Sequence, residues 1–168
     1  MVGCAKRINW NDPTDIASSV VVKHDEFKNV TSFDGPNCAP DAPDDGVLIR
    51  AWKMRNGDMH YQLYVQDEYT YELVRGGPGW RFYSSSNDSD GNNLETIRIS
   101  KHVSWCGVNA CSYREILGIT VTRDYLEERK TRGIRFKISG RNGEEVFYIP
   151  ATYVQAFLSV VPKKGAPQ

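Results

Sequence analysis

The chain has 168 residues, with 21 Lys plus Arg balanced by 21 Asp plus Glu. That length suits one domain with a real core. Zero net charge removes the bulk electrostatic drive toward nucleic acid, 40% apolar content argues against disorder, and no apolar run nears the ~20 residues that span a bilayer.

In chain order, residues 1–17 read as irregular, because "NWNDPTD" is rich in turn formers and carries Pro13. Ahead of it, Val2-Gly3-Cys4 has the form of a lipoprotein cleavage site, a small residue before a cysteine that becomes lipidated. Cys4 is therefore the expected lipidation site and residues 1–17 the flexible tether. No charged start or apolar stretch precedes Cys4 here. "SSVVVKH" (18–24) is a candidate strand. "FDGPNCAPDAPDDG" (33–46), with three prolines and four aspartates, is a long loop.

"VLIRAWKMRNGDMHYQLYV" (47–65) contains Asn56-Gly57, a strong hairpin signal. A two-residue turn there pairs Met54 with Met59, Trp52 with Tyr61, Arg50 with Leu63 and Leu48 with Val65. It leaves Arg50 as the odd polar residue on an otherwise apolar face, with Tyr64 on the opposite one. "EYTYELV" (68–74) and "WRFYSSS" (80–86) alternate on either side of the breaker "RGGPG" (75–79). "NDSDGNN" (87–93) is a turn centred on Asp90-Gly91. "LETIRISKHVSW" (94–105) and "CSYREILGITV" (111–121) are strands around a short loop.

Thr122 caps a helix over "RDYLEERKTR", with Gly133 past its end. Only Tyr125 and Leu126 are apolar, which places this helix on the surface. A second hairpin turning at Asn142-Gly143 pairs Ile138 with Phe147 and Phe136 with Ile149, and Ile134 extends the row. "PATYVQAFLSVV" puts Tyr153, Val154, Phe157, Leu158 and Val161 on one helical stripe that covers a sheet face. Residues 163–168 are a frayed tail. The sum is a single α+β domain over residues 18–162: a mainly antiparallel sheet, curled or closed into a small barrel or sandwich. It has about seven to nine strands and two late helices.

The four cysteines, Cys4, Cys38, Cys106 and Cys111, form no Cys-x-x-Cys. Cys106-Gly-Val-Asn-Ala-Cys111 spans a hairpin loop, so its cysteines can face each other at disulfide distance. They bond in an oxidising compartment and stay reduced in the cytosol. Cys38 is left over. It is either buried, paired with an unlipidated Cys4, or a nucleophile needing a base such as His24, His60 or His102. The histidines show no ligand spacing, and no cofactor motif is present. In "SNDSDGNN", aligning Gly91 as a calcium-loop glycine puts Ser86 first and Ile97 last, which excludes an EF-hand. Asp88 and Asp90 remain a weak calcium candidate beside the simpler reading of a solvated turn. A buried Arg50 needs a carboxylate or an anionic ligand. Tyr64 and Tyr83, with Tyr69 or Trp80, form the candidate aromatic binding patch.

At "HYQLYV", "WRFYSSSNDSDG" and "YREILGITVTRDYLEERKTRGIRFKISGRNGEEVFYIPATYVQAFL" the chain resembles uncharacterised lipoprotein-like envelope proteins of Gram-negative bacteria, over roughly residues 47–160. The resemblance carries no activity, ligand or catalytic residue. It implies a periplasmic location, a signal peptide ahead of Cys4 and an outer-membrane lipid anchor as the membrane contact. The expected function is a non-enzymatic module that binds another envelope protein or envelope component, with no nucleic-acid partner. The alternative is a small periplasmic hydrolase or ligand-binding enzyme near Arg50, His60 and Cys38. A third reading is a cytosolic domain with reduced cysteines.

Overall fold

A computed structural model describes residues 8–38, 46–72 and 79–163. Cys4, part of the Pro/Asp loop and most of "RGGPG" lie outside the described residues. The described chain runs α1 (Pro13–Ser18), β1 (Val21–Asp25), β2 (Val30–Asp34), β3 (Gly46–Lys53), β4 (Met59–Glu72), β5 (Tyr83–Asp88), β6 (Asn93–Cys106), β7 (Ala110–Val121), α2 (Arg123–Arg129), β8 (Ile134–Gly140), β9 (Gly143–Ile149) and α3 (Ala151–Val160). The strands form one open antiparallel sheet of order β1-β2-β3-β4-β7-β6-β5-β8-β9. The sheet curls until Cys38, Val47 and Phe147 line one cavity, bringing β9 back toward β3.

Side-chain alternation divides the sheet cleanly. On β3 and β4 the odd residues Val47, Ile49, Ala51, Tyr61, Leu63 and Val65 are buried, and on β7 so are Leu117, Ile119 and Val121. Ile49 pairs with Leu63, and Leu63 with Ile119, so one face is a continuous apolar row. This corrects the expected register. The loop is three residues, Arg55-Asn56-Gly57, closed by the Met54 N–H to Asp58 O hydrogen bond, with Gly57 at φ +87°. Lys53 therefore pairs with Met59, Trp52 with His60 and Arg50 with Gln62. Arg50 sits on the outer face and not among the apolar side chains. A one-residue change in loop length altered every pair.

The second hairpin shows the opposite case. It turns at Arg141-Asn142, so Phe136 pairs with Phe147 and Ile134 with Ile149. The expected register is displaced by two, and parity survives. Ile134, Phe136, Ile138, Phe147 and Ile149 are all buried as expected. β4 continues without interruption through Tyr69 and Tyr71, where two strands were expected.

Helix α3 fills the concave face with the expected stripe, since Tyr153, Val154 and Phe157 are fully buried. Helix α1 begins inside the stretch expected to be a loose tether. Asp12 caps it by accepting from the Thr14 N–H at 2.9 Å. Ile16 is fully buried, and Trp10 stacks on Tyr153. Ile16 and Trp10 thus dock a segment whose composition reads as turn-rich. Helix α2 carries Thr122 as its cap, as expected, accepting from the Tyr125 N–H. It does not merely ride the surface, because Leu126 and Arg129 are buried.

Cys106 and Cys111 pair across the β6–β7 hairpin and are joined by a disulfide. The bridge closes a short loop at the sheet's far end. Its chain-entropy contribution is about 2 kcal/mol. Reduction should lower the unfolding free energy by no more than that and leave the far-ultraviolet circular dichroism unchanged. Denaturant titration with and without reductant measures it.

Candidate functional site

Three clusters of polar and aromatic side chains stand out. The first lies where the apolar row of β4 and β7 ends. There Asp67 pairs directly with Glu115, and both carboxylates are buried. Two like charges at opposite positions repel unless they are neutralised. The chain from Arg81 to Tyr83, with Tyr69 of β4, supplies the neutralising groups. Asp67 accepts from Tyr83 Oη at 2.6 Å and Arg81 Nη1 at 3.0 Å. Glu115 accepts from Tyr69 Oη, from the Phe82 N–H at 3.0 Å and from the Tyr83 N–H at 3.1 Å. Arg81 also reaches Glu145, and its guanidinium carbon lies 4.3 Å from the Tyr69 ring centre. Burial, reinforced by the neighbouring carboxylates, pushes the Tyr69 and Tyr83 hydroxyls well above their ordinary pKa, so both stay protonated donors.

The backbone is bent to fit. Phe82 takes φ +55°, the left-handed region that a bulky side chain rarely occupies. Gly140 permits the approach, since a Cβ there would lie 2.3 Å from the Arg81 carbonyl oxygen. Tyr83, expected in an exposed patch, is fully buried. It fails as a surface residue because its hydroxyl is committed to Asp67 and Arg81. Trp80 is half-buried, edge-on to Tyr113, with the Lys101 ammonium 5.0 Å from its ring centre.

The second cluster is on the outer face. Gln62 lies flat over Gly118, where any Cβ would meet its amide at 2.2 Å. Its Oε1 accepts from Arg50 Nε at 2.9 Å and Nη2 at 2.5 Å. The guanidinium carbon sits 4.4 Å from the Tyr64 ring centre and 5.7 Å from that of Trp52. Trp52 stacks in turn on His60 at 5.7 Å. Among the described residues no carboxylate lies within ion-pair distance of Arg50. Burial draws its pKa down, opposed by Tyr64 and Asp34. Arg50 and Tyr64, named from sequence, do come together; Trp80 and Tyr83 belong to the other cluster.

The third cluster is the 88–92 turn. Asp88 accepts from the N–H groups of Asp90 and Asn92, from Asn92 Nδ2 and from Arg129 Nη2 at 2.7 Å. Asp90 pairs with Arg129 at 2.8 Å and with Arg132. These carboxylates, the weak calcium candidate, are held by two guanidinium groups. Among the described residues no group of three or more His, Cys, Asp and Glu converges on a metal-sized site. The arrangement fastens α2 to the β5–β6 turn.

Cys38, Arg50 and His60 do not converge. Cys38 packs against the core beside Val47, while Arg50 and His60 occupy the outer face. Burial pushes the Cys38 thiol up to about 12, the reverse of what a nucleophile needs. The buried carboxylate pair was missed from sequence. Its signal was Asp67 and Glu115, each on the inward parity of an apolar strand. No protein-family model, curated protein or solved structure matches the chain.

Burial alone would raise the Asp88 pKa, but the hydrogen bonds from Asn92, Arg129 and Asp90 outweigh it and hold the carboxyl at about 2. A folded pKa below the ordinary 3.8 contributes stability above pH 3.8 that is lost as pH falls toward 2. Asp88→Asn should therefore destabilise the protein at neutral pH, with about 2 kcal/mol of that difference disappearing between pH 4 and pH 2. Paired denaturant titrations across that range check both the sign and the window.

Proposed function

We propose that the protein is a non-enzymatic binding module of the bacterial cell envelope. In this reading lipid on Cys4 tethers it to the outer membrane, and the outer-face platform of Trp52, His60, Arg50 and Tyr64 contacts another envelope protein or envelope component. One observation carries the binding assignment. Arg50 is a half-buried guanidinium spread on aromatic rings and hydrogen-bonded to the neutral Gln62; Asp34 faces it in the β2–β3 register, but no carboxylate lies within ion-pair distance among the described residues. A cation so placed suits an incoming carboxylate or phosphate, which would receive its remaining N–H groups. The envelope assignment draws support from the disulfide, since such bonds persist in oxidising compartments, and from the resemblance of the sequence to envelope lipoproteins.

The enzyme alternative at Arg50, His60 and Cys38 has less support, because the three side chains lie on opposite sides of the sheet and the thiol is suppressed.

The test uses protein from its native host. Intact mass should exceed that of the polypeptide by a diacylglyceryl group and a fatty acid, and four free thiols in unmodified protein would contradict the envelope reading. Used as bait on envelope extract, the wild type should retain a partner whose recovery falls at least about tenfold with Arg50→Ala, a loss of about 1.4 kcal/mol. Equal recovery with both baits would contradict the platform.

A further inference from the structure

The sheet is split. β6 pairs with β7 from Glu95–Thr120 to Cys106–Cys111. On its other side it meets β5 only at Leu94–Ser86 and Asn93–Asn87. The vertex is closed by Ser86 Oγ, 2.7 Å from Thr96 Oγ1. Beyond it β5 turns away to pair with β8, and Phe82 is drawn inward by Glu115. From residue 95 onward, no described strand lies against the second edge of β6. Such an edge presents unpaired N–H and C=O groups, a template for strand addition.

Three features say what fits there. Ile97, Ile99, Val103 and Trp105 are 42–58% exposed along this strand, which suits an extended apolar partner. A cavity of about 200 Å³ opens in the split, bounded by Phe82, Arg98, Lys101 and Glu115. This is several times the ~30 Å³ that one water occupies in the liquid. Arg98 and Lys101 have no carboxylate within ion-pair distance among the described residues. Glu115 faces Lys101 in the register, but its oxygens already serve Tyr69, Phe82 and Tyr83.

We propose that the free edge of β6 binds an extended segment of a partner protein as an added strand, with an acidic side chain of that segment seated in the cavity between Arg98 and Lys101. A second copy of this chain is the poorer occupant. It would set the Arg98 and Lys101 stretch of one copy against that of the other, and like charges across a strand pair destabilise it. The extra residues Ile99 and Ser104 interrupt the β6–β7 register, and such bulges twist an edge away from self-pairing. This edge is separate from the Arg50 platform and does not depend on it.

The probe is a synthetic ten-residue peptide of alternating valine and threonine with one central glutamate, titrated into the full chain and followed by amide NMR. Binding should slow exchange of β6 amides between residues 96 and 104. Replacing the central glutamate by lysine, or a neighbouring valine by proline, should weaken binding at least about tenfold. Arg98→Glu with Lys101→Glu, both on the exposed strand, should do the same to the glutamate peptide. Equal binding of all three peptides, no protection of β6, or concentration-dependent dimerisation through β6 would overturn the proposal. The peptide controls need no protein variant, so they decide the matter even if the double mutant misfolds.

Discussion

Two buried carboxylates placed opposite each other on adjacent strands demand compensation. Asp67 and Glu115 obtain most of it from one short segment, residues 81–83, and the rest from Tyr69 on β4. Removing two charges from water costs several kcal/mol each unless hydrogen bonds and counter-charge replace the solvent. Here Arg81, two tyrosine hydroxyls and successive backbone N–H groups do so. The requirement dictates the route of the chain. It pulls residues 81–83 across the middle of β7, at Glu115, holds Phe82 in a left-handed conformation and sends β5 toward β8. The split in the sheet follows from that route, and so do the cavity and the open edge of β6. A charge pair in the core thus shapes the most exposed strand.

The two sheet faces take different roles by parity. The inner residues of β3, β4 and β7 close on α3 and account for the core. On the outer parity the aromatic rings and guanidinium of Trp52, His60, Arg50 and Tyr64 assemble. Gly118 matters to this patch through absence. Its missing side chain lets Gln62 lie flat, and Gln62 aims Arg50.

Sequence pattern revealed the antiparallel α+β class, the α3 stripe, the buried row of the second hairpin and the Cys106–Cys111 pair. Each rests on local spacing. The first hairpin misled because Asn56-Gly57 signals a turn without stating its length, and one added residue exchanges partners along the whole ladder. Arg50 and Tyr64 lie side by side, with Arg50 on the opposite face from the one its expected register gives. Tyr83 was misread because its burial depends on Asp67, a partner 16 residues away that only the fold supplies. Helix α2 looked superficial because its anchor is a buried ion pair, Arg129 to Asp88, and periodicity arguments count apolar residues only. The docking of residues 8–18 depends on Ile16 and Trp10 meeting α3, a contact more than 130 residues distant in sequence.

Amide hydrogen exchange on the isolated protein tests the central claim that the Asp67–Glu115 pair locks the 81–83 segment and thereby opens β6. The N–H groups of Arg81, Phe82 and Tyr83 should exchange only through global unfolding, at rates matching the slowest core amides. The outward-pointing amides of β6 beyond Thr96 should exchange orders of magnitude faster. Rapid exchange at residues 81–83, or uniform protection along β6, would contradict the account.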